Sequence, residues 1–221
     1  MPQSPKSATG TMVQIPSGDV SLEGDLNIPA GAKGIVLFAH GSGSSRLSPR
    51  NRFVAGVLNK AGLATLLMDL LTAEEERIDL YTGELRFDIG LLAGRLESAT
   101  DWLLSQPQTR EMSIGYFGSS TGAAAALVAA AGRPERVTAI VSRGGRPDLA
   151  GSALADVRSP TLLIVGGNDE VVIGLNEESL ARLSVEKEMR IVPGATHLFE
   201  EPGTLEEVAR LASDWFTNHL T

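Results

Sequence analysis

One stretch restricts the fold more than any other: Met112–Gly132, MSIGYFGSSTGAAAALVAAAG. Its apolar opening, Met112–Phe117, suits a strand covered on both faces, and the run of small residues that follows suits a helix lying close to a sheet. Between them stands Gly118-Ser119-Ser120-Thr121-Gly122, which fits G-x-S-x-G with Ser120 at the centre. A serine held out on a sharp strand-to-helix corner leaves no room for side chains at its flanks, and Gly118 and Gly122 remove them. The helix N-terminus behind it offers free backbone N–H groups and a dipole that favours negative charge.

The remainder of the chain supplies a parallel sheet around this corner. Thr11–Ile15 and Val20–Ile28 alternate apolar and polar residues about Pro16-Ser17-Gly18-Asp19, an antiparallel pair with a turn. Gly34–Ala39 and Leu63–Met68 are continuous apolar runs, read as buried strands. Between them Ser48 is a candidate N-cap, Pro49 the first helical residue, and Gly62 the stop. Residues 70–83 contain Glu74-Glu75-Glu76 without an apolar period, which predicts a surface loop able to cover a site. Leu85, Ile89, Leu92, Leu96, Ala99 and Leu103 recur at helical spacing up to Pro107. Further strands are predicted at Val137–Val141, Thr161–Val165 and Glu188–Val192. Arg143–Ala155 reads as a loop with one short helix, and residues 174–184 as a helix. A closing helix begins at a Thr204/Glu207 capping box. Strands alternating with helices from Gly34 onward give the fold class: α/β, an eight-stranded, mostly parallel sheet with helices on both faces and no large cap domain. Residues 1–221 are read as a single domain, residues 1–10 as a flexible N-terminus.

Composition excludes several classes of function. The chain has 221 residues and a formal net charge of −8, which argues against a nucleic-acid partner. It has no cysteine, so disulfides, thiolate metal sites and a cysteine nucleophile are out. His40, His197 and His219 are too scattered for metal-ligand spacing, so neither a metal nor another cofactor is expected. No segment has the length of a signal peptide's apolar run or of a membrane span, and a soluble, cytoplasmic protein is the expectation. Oligomeric state is not set by the sequence.

Four loops, 40–45, 118–122, 166–169 and 193–197, follow strand C-termini and should share one edge of the sheet, where ligands bind in such folds. Along that edge come Ser120, then Asp169, then His197, the chain order Ser…Asp…His of α/β-hydrolases. The expected roles are Ser120 as nucleophile, His197 as its base and Asp169 as the carboxylate that orients the imidazole. Glu170 is the alternative orienter. Thr121, directly after the nucleophile, and Ser42, with Gly41 competing, are the expected oxyanion-hole donors. His40 reads as a support for its loop and His219 as a solvated residue.

GSSTG, the GGNDEVV segment and PGATHLFEEPGTLEEVARLASDWF together resemble the dienelactone hydrolase family, a likeness running over nearly all of the chain from about residue 20. The resemblance implies the α/β-hydrolase fold and a hydrolytic triad. It also implies a cysteine in the elbow, where this chain has Ser120, which suits ordinary carboxylic esters better than dienelactone. The expected function is a serine hydrolase of small soluble acyl substrates. A thioesterase, acyltransferase or peptidase on the same triad is an alternative, as is a non-catalytic binding module. Arg46, Arg50, Arg143 and Arg146 fall beside the site loops. Either some of them hold an anionic group of the small-molecule substrate, or they are exposed and bridge to carboxylates such as Asp148 or Asp156.

Overall fold

A computed structural model describes residues 10–220. The expected flexible segment, residues 1–10, therefore lies outside the described residues apart from Gly10. The strands are β1 (Thr11–Ser17), β2 (Val20–Asn27), β3 (Gly34–Ala39), β4 (Ala64–Met68), β5 (Ser113–Ser119), β6 (Val137–Arg143), β7 (Thr161–Gly166) and β8 (Lys187–Val192). They form one sheet in the order β1-β2-β4-β3-β5-β6-β7-β8. β1 pairs antiparallel with β2, and β2 antiparallel with β4; every other pairing is parallel. This is the expected eight-stranded α/β sheet, with the C-terminal ends of β3, β5, β6, β7 and β8 along one edge.

The helices are α1 (Pro49–Lys60), α2 (Ala73–Thr82), α3 (Ile89–Ser105), α4 (Thr121–Gly132), α5 (Glu170–Arg182) and α6 (Thr204–Leu220). One face of the sheet is packed by α3 and α4, through Leu92, Leu96, Leu103, Ala124 and Leu127 onto Ile35, Leu37, Ile114 and Tyr116. The other is packed by α1 and α6, through Val54, Leu58, Val208, Ala212 and Phe216 onto Val36, Phe38, Phe117 and Val141. Two glycines let α6 come this close. A Cβ on Gly115 would stand 2.7 Å from the Phe216 ring, and one on Gly34 would stand 2.6 Å from Leu220 Cβ. Both distances are far below van der Waals contact.

Several local expectations change. Residues 70–83 are not a loop: Thr72 and Glu75 form a reciprocal capping box that starts α2, and Gly83 ends it in the left-handed region. An apolar period is missing because the helix lies on the surface and carries exposed Ile78, Leu80 and Tyr81. The long helix begins at Ile89 rather than Leu85. The Asp79 carboxylate takes the amides of Leu85 and Arg86 and fixes a 3₁₀ turn at Leu85–Phe87, after which Asp88 caps α3. Residues Pro147–Asp156 form 3₁₀ turns broken at Gly151. The Thr204/Glu207 capping box does not form: the Thr204 hydroxyl donates to the Glu201 carbonyl at 2.7 Å, and Glu207 pairs with Arg210. His219 is not a free surface residue either, since its ring lies 4.5 Å from the Trp215 ring and its Nδ1 is 2.7 Å from the Trp215 carbonyl.

Removing the cap of α2 gives a local test. Thr72→Ala should cost about 1 kcal/mol, lost mainly from the first turn of α2. Hydrogen exchange should speed up over residues 73–79 and stay slow in α3.

Candidate active site

The corner after β5 is held as its sequence requires. Ser120 has φ 50° and ψ −122°, a strained conformation for a residue with a side chain. A Cβ on Gly118 would fall 2.4 Å from Ala123 Cα, and one on Gly122 would fall 2.3 Å from the Ala39 carbonyl oxygen. Both glycines are therefore needed for α4 to meet the ends of β3 and β5. Ser119, directly before the apex, is buried and donates to Asn51 Oδ1 of α1 at 3.2 Å. Behind the apex, the Ser120 carbonyl receives the Arg146 amide at 3.1 Å.

Asp169 and His197 come from the loops after β7 and β8. Asp169 occupies the cap position of α5, yet its side chain makes no capping hydrogen bond. Its Oδ2 instead stands 2.7 Å from His197 Nδ1. A carboxylate here fixes the tautomer that leaves Nε2 free to accept a proton. Glu170, the alternative orienter, is an exposed first-turn residue of α5. α5 also starts four residues earlier than its apolar pattern, at Glu170. The loop after β6 ties the parts together: a Cβ on Gly144 would lie 3.0 Å from the His197 carbonyl oxygen, while Arg143 and Arg146 both bond the Ser120 backbone. Among the described residues no hydrogen bond joins Ser120 Oγ to His197. Such contacts are commonly long in an empty site and close on substrate.

The oxyanion-loop expectation gains a detail. Thr121 is the first residue of α4, so its amide has no intrahelical acceptor. The Ser42 amide, the other expected donor, gives its hydrogen bond to Thr121 Oγ1 at 3.0 Å. Gly41 packs on the apex, with room for no more than its hydrogens, since a Cβ would come 3.0 Å from Ser120 Cβ. His40 supports the loop as anticipated: Nε2 accepts from the Leu70 amide and Nδ1 faces the Gly41 carbonyl, both at 3.0 Å. Beside this loop a cavity of about 160 Å³ runs under α2, lined by Ser42, Thr121, Leu70, Leu71, Leu80 and Leu92 among others. The cover anticipated as a loop at residues 70–83 is thus mostly a helix.

The four arginines differ sharply. Arg46 meets Asp69 at 2.8 Å, Glu23 at 2.7 Å and Asp25 at 3.7 Å. Arg146 is bidentate to Asp148, both bonds 2.8 Å. Both charges are compensated by carboxylates, with Asp148 but not Asp156 among the partners, although neither arginine is exposed and Arg46 Nε has no hydrogen-bond partner. Arg50 has one contact, Glu200 at 3.0 Å. Arg143 is 7% exposed and has no carboxylate partner among the described residues.

Comparison with known proteins places this geometry. Residues 22–219 match the model of the dienelactone hydrolase family. The crystal structure of a dienelactone hydrolase from Anabaena variabilis is 64% identical, with a TM-score of 0.94 over 96% of this chain and 98% of that one. A Mycobacterium tuberculosis (strain H37Rv) protein provisionally named a phosphoribosyl transferase is 59% identical over 94% of this chain, but over only 46% of its own length. The chain thus spans about half of that relative. Est1E from Butyrivibrio proteoclasticus shares the fold, with a TM-score of 0.78 at 15% identity over 94% of this chain and 98% of its own.

Two outcomes follow from the site's construction. Gly122→Ala should lower stability by about 2–3 kcal/mol, because backbone rather than a flexible side chain blocks the new methyl group, and thermal unfolding reads this directly. His40 is held below its ordinary pKa of 6.5, first by burial, with the Gly41 carbonyl and Asp69 opposing. The unfolded chain then binds the extra proton first, so stability falls as pH drops through about 6.5 toward the lower folded value. His40→Gln should lose less melting temperature than wild type between pH 7 and pH 5.

Proposed function

Because the chain belongs to the dienelactone hydrolase family, we propose that it is a serine hydrolase that cleaves small acyl substrates through an acyl-enzyme on Ser120. The observation that carries this reading is the diversion of Asp169 from capping α5 to His197 Nδ1, at 2.7 Å. A carboxylate at a helix N-terminus ordinarily accepts from the free amides there. Turning it to an imidazole on another loop favours a base aimed at a nearby nucleophile.

The chemistry follows from these positions. His197 Nε2 removes the Ser120 proton as Oγ bonds to the substrate's acyl carbon. The carbonyl oxygen becomes an oxyanion facing the Thr121 amide and dipole at the start of α4. Rotation of the Thr121 hydroxyl, which accepts from the Ser42 amide at 3.0 Å, releases that amide as a second donor. The imidazolium, held by Asp169, gives its proton to the leaving alkoxide. Water then repeats the sequence on the acyl-enzyme and regenerates Ser120. The cavity under α2 adjoins both donors and suits a short, largely apolar acyl or alcohol group.

The transferase name belongs to a protein of which this chain covers less than half, and the site in this half supports acyl transfer to water. Thioester and amide substrates share the acyl-enzyme step and are separated only by assay. A fluorophosphonate probe should form a stoichiometric adduct on Ser120, located by mass spectrometry. Ser120→Ala should abolish it and His197→Ala should slow it strongly. Asp169→Asn should lower kcat on a 4-nitrophenyl ester about 10³–10⁴-fold with a smaller change in KM. Folded wild type without an adduct overturns the reading in favour of a non-catalytic binding module.

A further inference from the structure

The sheet ends in β8, and among the described residues no strand lies beyond it. Its pairing with β7 shows which of its backbone groups are already used. The Thr161 amide donates to the Glu186 carbonyl and the Gly167 amide to the Val192 carbonyl, both at 2.9 Å. In a parallel ladder the N–H and C=O of one residue point the same way, and the direction alternates along the strand. Glu188 and Arg190 therefore turn their backbone groups to β7, while those of Lys187, Met189 and Ile191 face outward. Such a row of open donors and acceptors is a template for another strand. The opposite edge strand, β1, is interrupted by Pro16, which has no N–H to give.

The side chains of β8 leave this edge open. A lysine on an edge ordinarily blocks pairing, but Lys187 Nζ is drawn back onto the end of α5, where it donates to the carbonyls of Leu180 and Leu183 at 2.8 Å and 2.6 Å. Ile191 is 46% exposed. Glu188 and Arg190 pair with each other along the strand. Both line a cavity of about 720 Å³ between β8 and α6, which leaves their side chains room to turn outward.

Charge selects both the occupant and its register. For a second β8 running antiparallel beside the first, the outward groups match when Met189 faces Met189 of the other copy and Lys187 faces Ile191. Each Glu188 then stands opposite an Arg190. Sliding by two residues keeps the hydrogen bonds but sets Glu188 against Glu188 in one direction and Arg190 against Arg190 in the other, and like charges directly opposite are unfavourable. We propose that β8 is the interface of a two-fold dimer of this chain, joined antiparallel with its axis at Met189, so that two eight-stranded sheets become one. The pairing forms about six backbone hydrogen bonds. Glu188 and Arg190 occupy its close, non-hydrogen-bonded positions, where cross-strand side chains interact most.

Sedimentation velocity from about 1 μM to about 1 mM reads the dimer, with circular dichroism as the check that each variant is folded. Wild type should approach twice the chain mass as concentration rises. Glu188→Arg and Arg190→Glu each place like charges opposite one another at two positions, and each should weaken the dimer on the order of tenfold or more. An equimolar mixture of the two variants restores opposite charges at both positions and should dimerise as wild type does. A charge acting only within its own chain cannot give that recovery. Cysteine substitution reads the register independently, because the chain has no cysteine of its own. Met189→Cys stands opposite its own copy at a disulfide's Cα spacing and should oxidise to a crosslinked dimer, with Ile191→Cys about tenfold slower or more. This comparison decides the matter if a charge variant does not fold. A wild type that stays monomeric to about 1 mM overturns the proposal and leaves β8 as a charged edge that resists pairing. A dimer indifferent to both reversals, a mixture that stays monomeric, or equal crosslinking at positions 189 and 191 overturns it as well.

Discussion

The close approach of the α4 N-terminus to the ends of β3 and β5 is the constraint from which the rest of the site follows. With 2.3 Å and 2.4 Å available where a Cβ would go, Gly122 and Gly118 admit no other residue without moving backbone. That approach forces Ser120 to φ 50°, a conformation costing on the order of 1–3 kcal/mol. The surrounding burial offsets it: Ala123–Leu127 are fully buried against the sheet and its neighbours. The same geometry lifts the hydroxyl clear of the strand end and places the Thr121 amide at the positive end of a helix. Strain at Ser120, its raised hydroxyl and the free Thr121 amide are thus consequences of one packing arrangement.

Charge along the site edge is handled in three different ways. His40 is kept neutral by burial and anchors the oxyanion loop through both ring nitrogens. Arg46 is compensated by three carboxylates from β2 and the end of β4, which makes it a structural tie between the outer strands and the loop. Arg143 is left without compensation. A protein with net charge −8 has carboxylates to spare, so an unmatched buried cation is a local arrangement and does not reflect a shortage of partners.

The sheet was legible because β3, β4, β5, β6 and β7 are nearly unbroken apolar runs with turn residues at their ends, and burial on both faces leaves that trace. Ser120 and Asp169 were legible as loop residues at the sheet edge because each follows such a run, whereas His197 follows β8, KEMRIV, in which only Val192 is buried. What failed were signals whose outcome depends on which partner wins a group. Thr72-x-x-Glu75 and Thr204-x-x-Glu207 spell the same cap, but the first forms and the second does not, because Glu201 and Arg210 compete for its groups. The first could have been found from its spelling; the Glu74–Glu76 run beside it drew attention to solvent instead. The arginines were indistinguishable in sequence. Arg46 is sorted from Arg143 by residues 21–23 positions away, brought near only by the sheet order. His219 differs, since its partner, the Trp215 ring, lies one turn back on the same helix.

The fit of Phe216 and Leu220 against Gly115 and Gly34 bears on time as well as space. β3 and β5 lie at the middle of the sheet, yet the side chains that fill the gaps over them come from the last turns of α6. During synthesis those central strands can pair with one another long before anything seals one of their faces. Until residues near 216–220 have emerged, Phe38, Phe117 and Val141 remain open on that side. That face of the sheet therefore stays adhesive until α6 has been made, and α6 acts as the step that closes it.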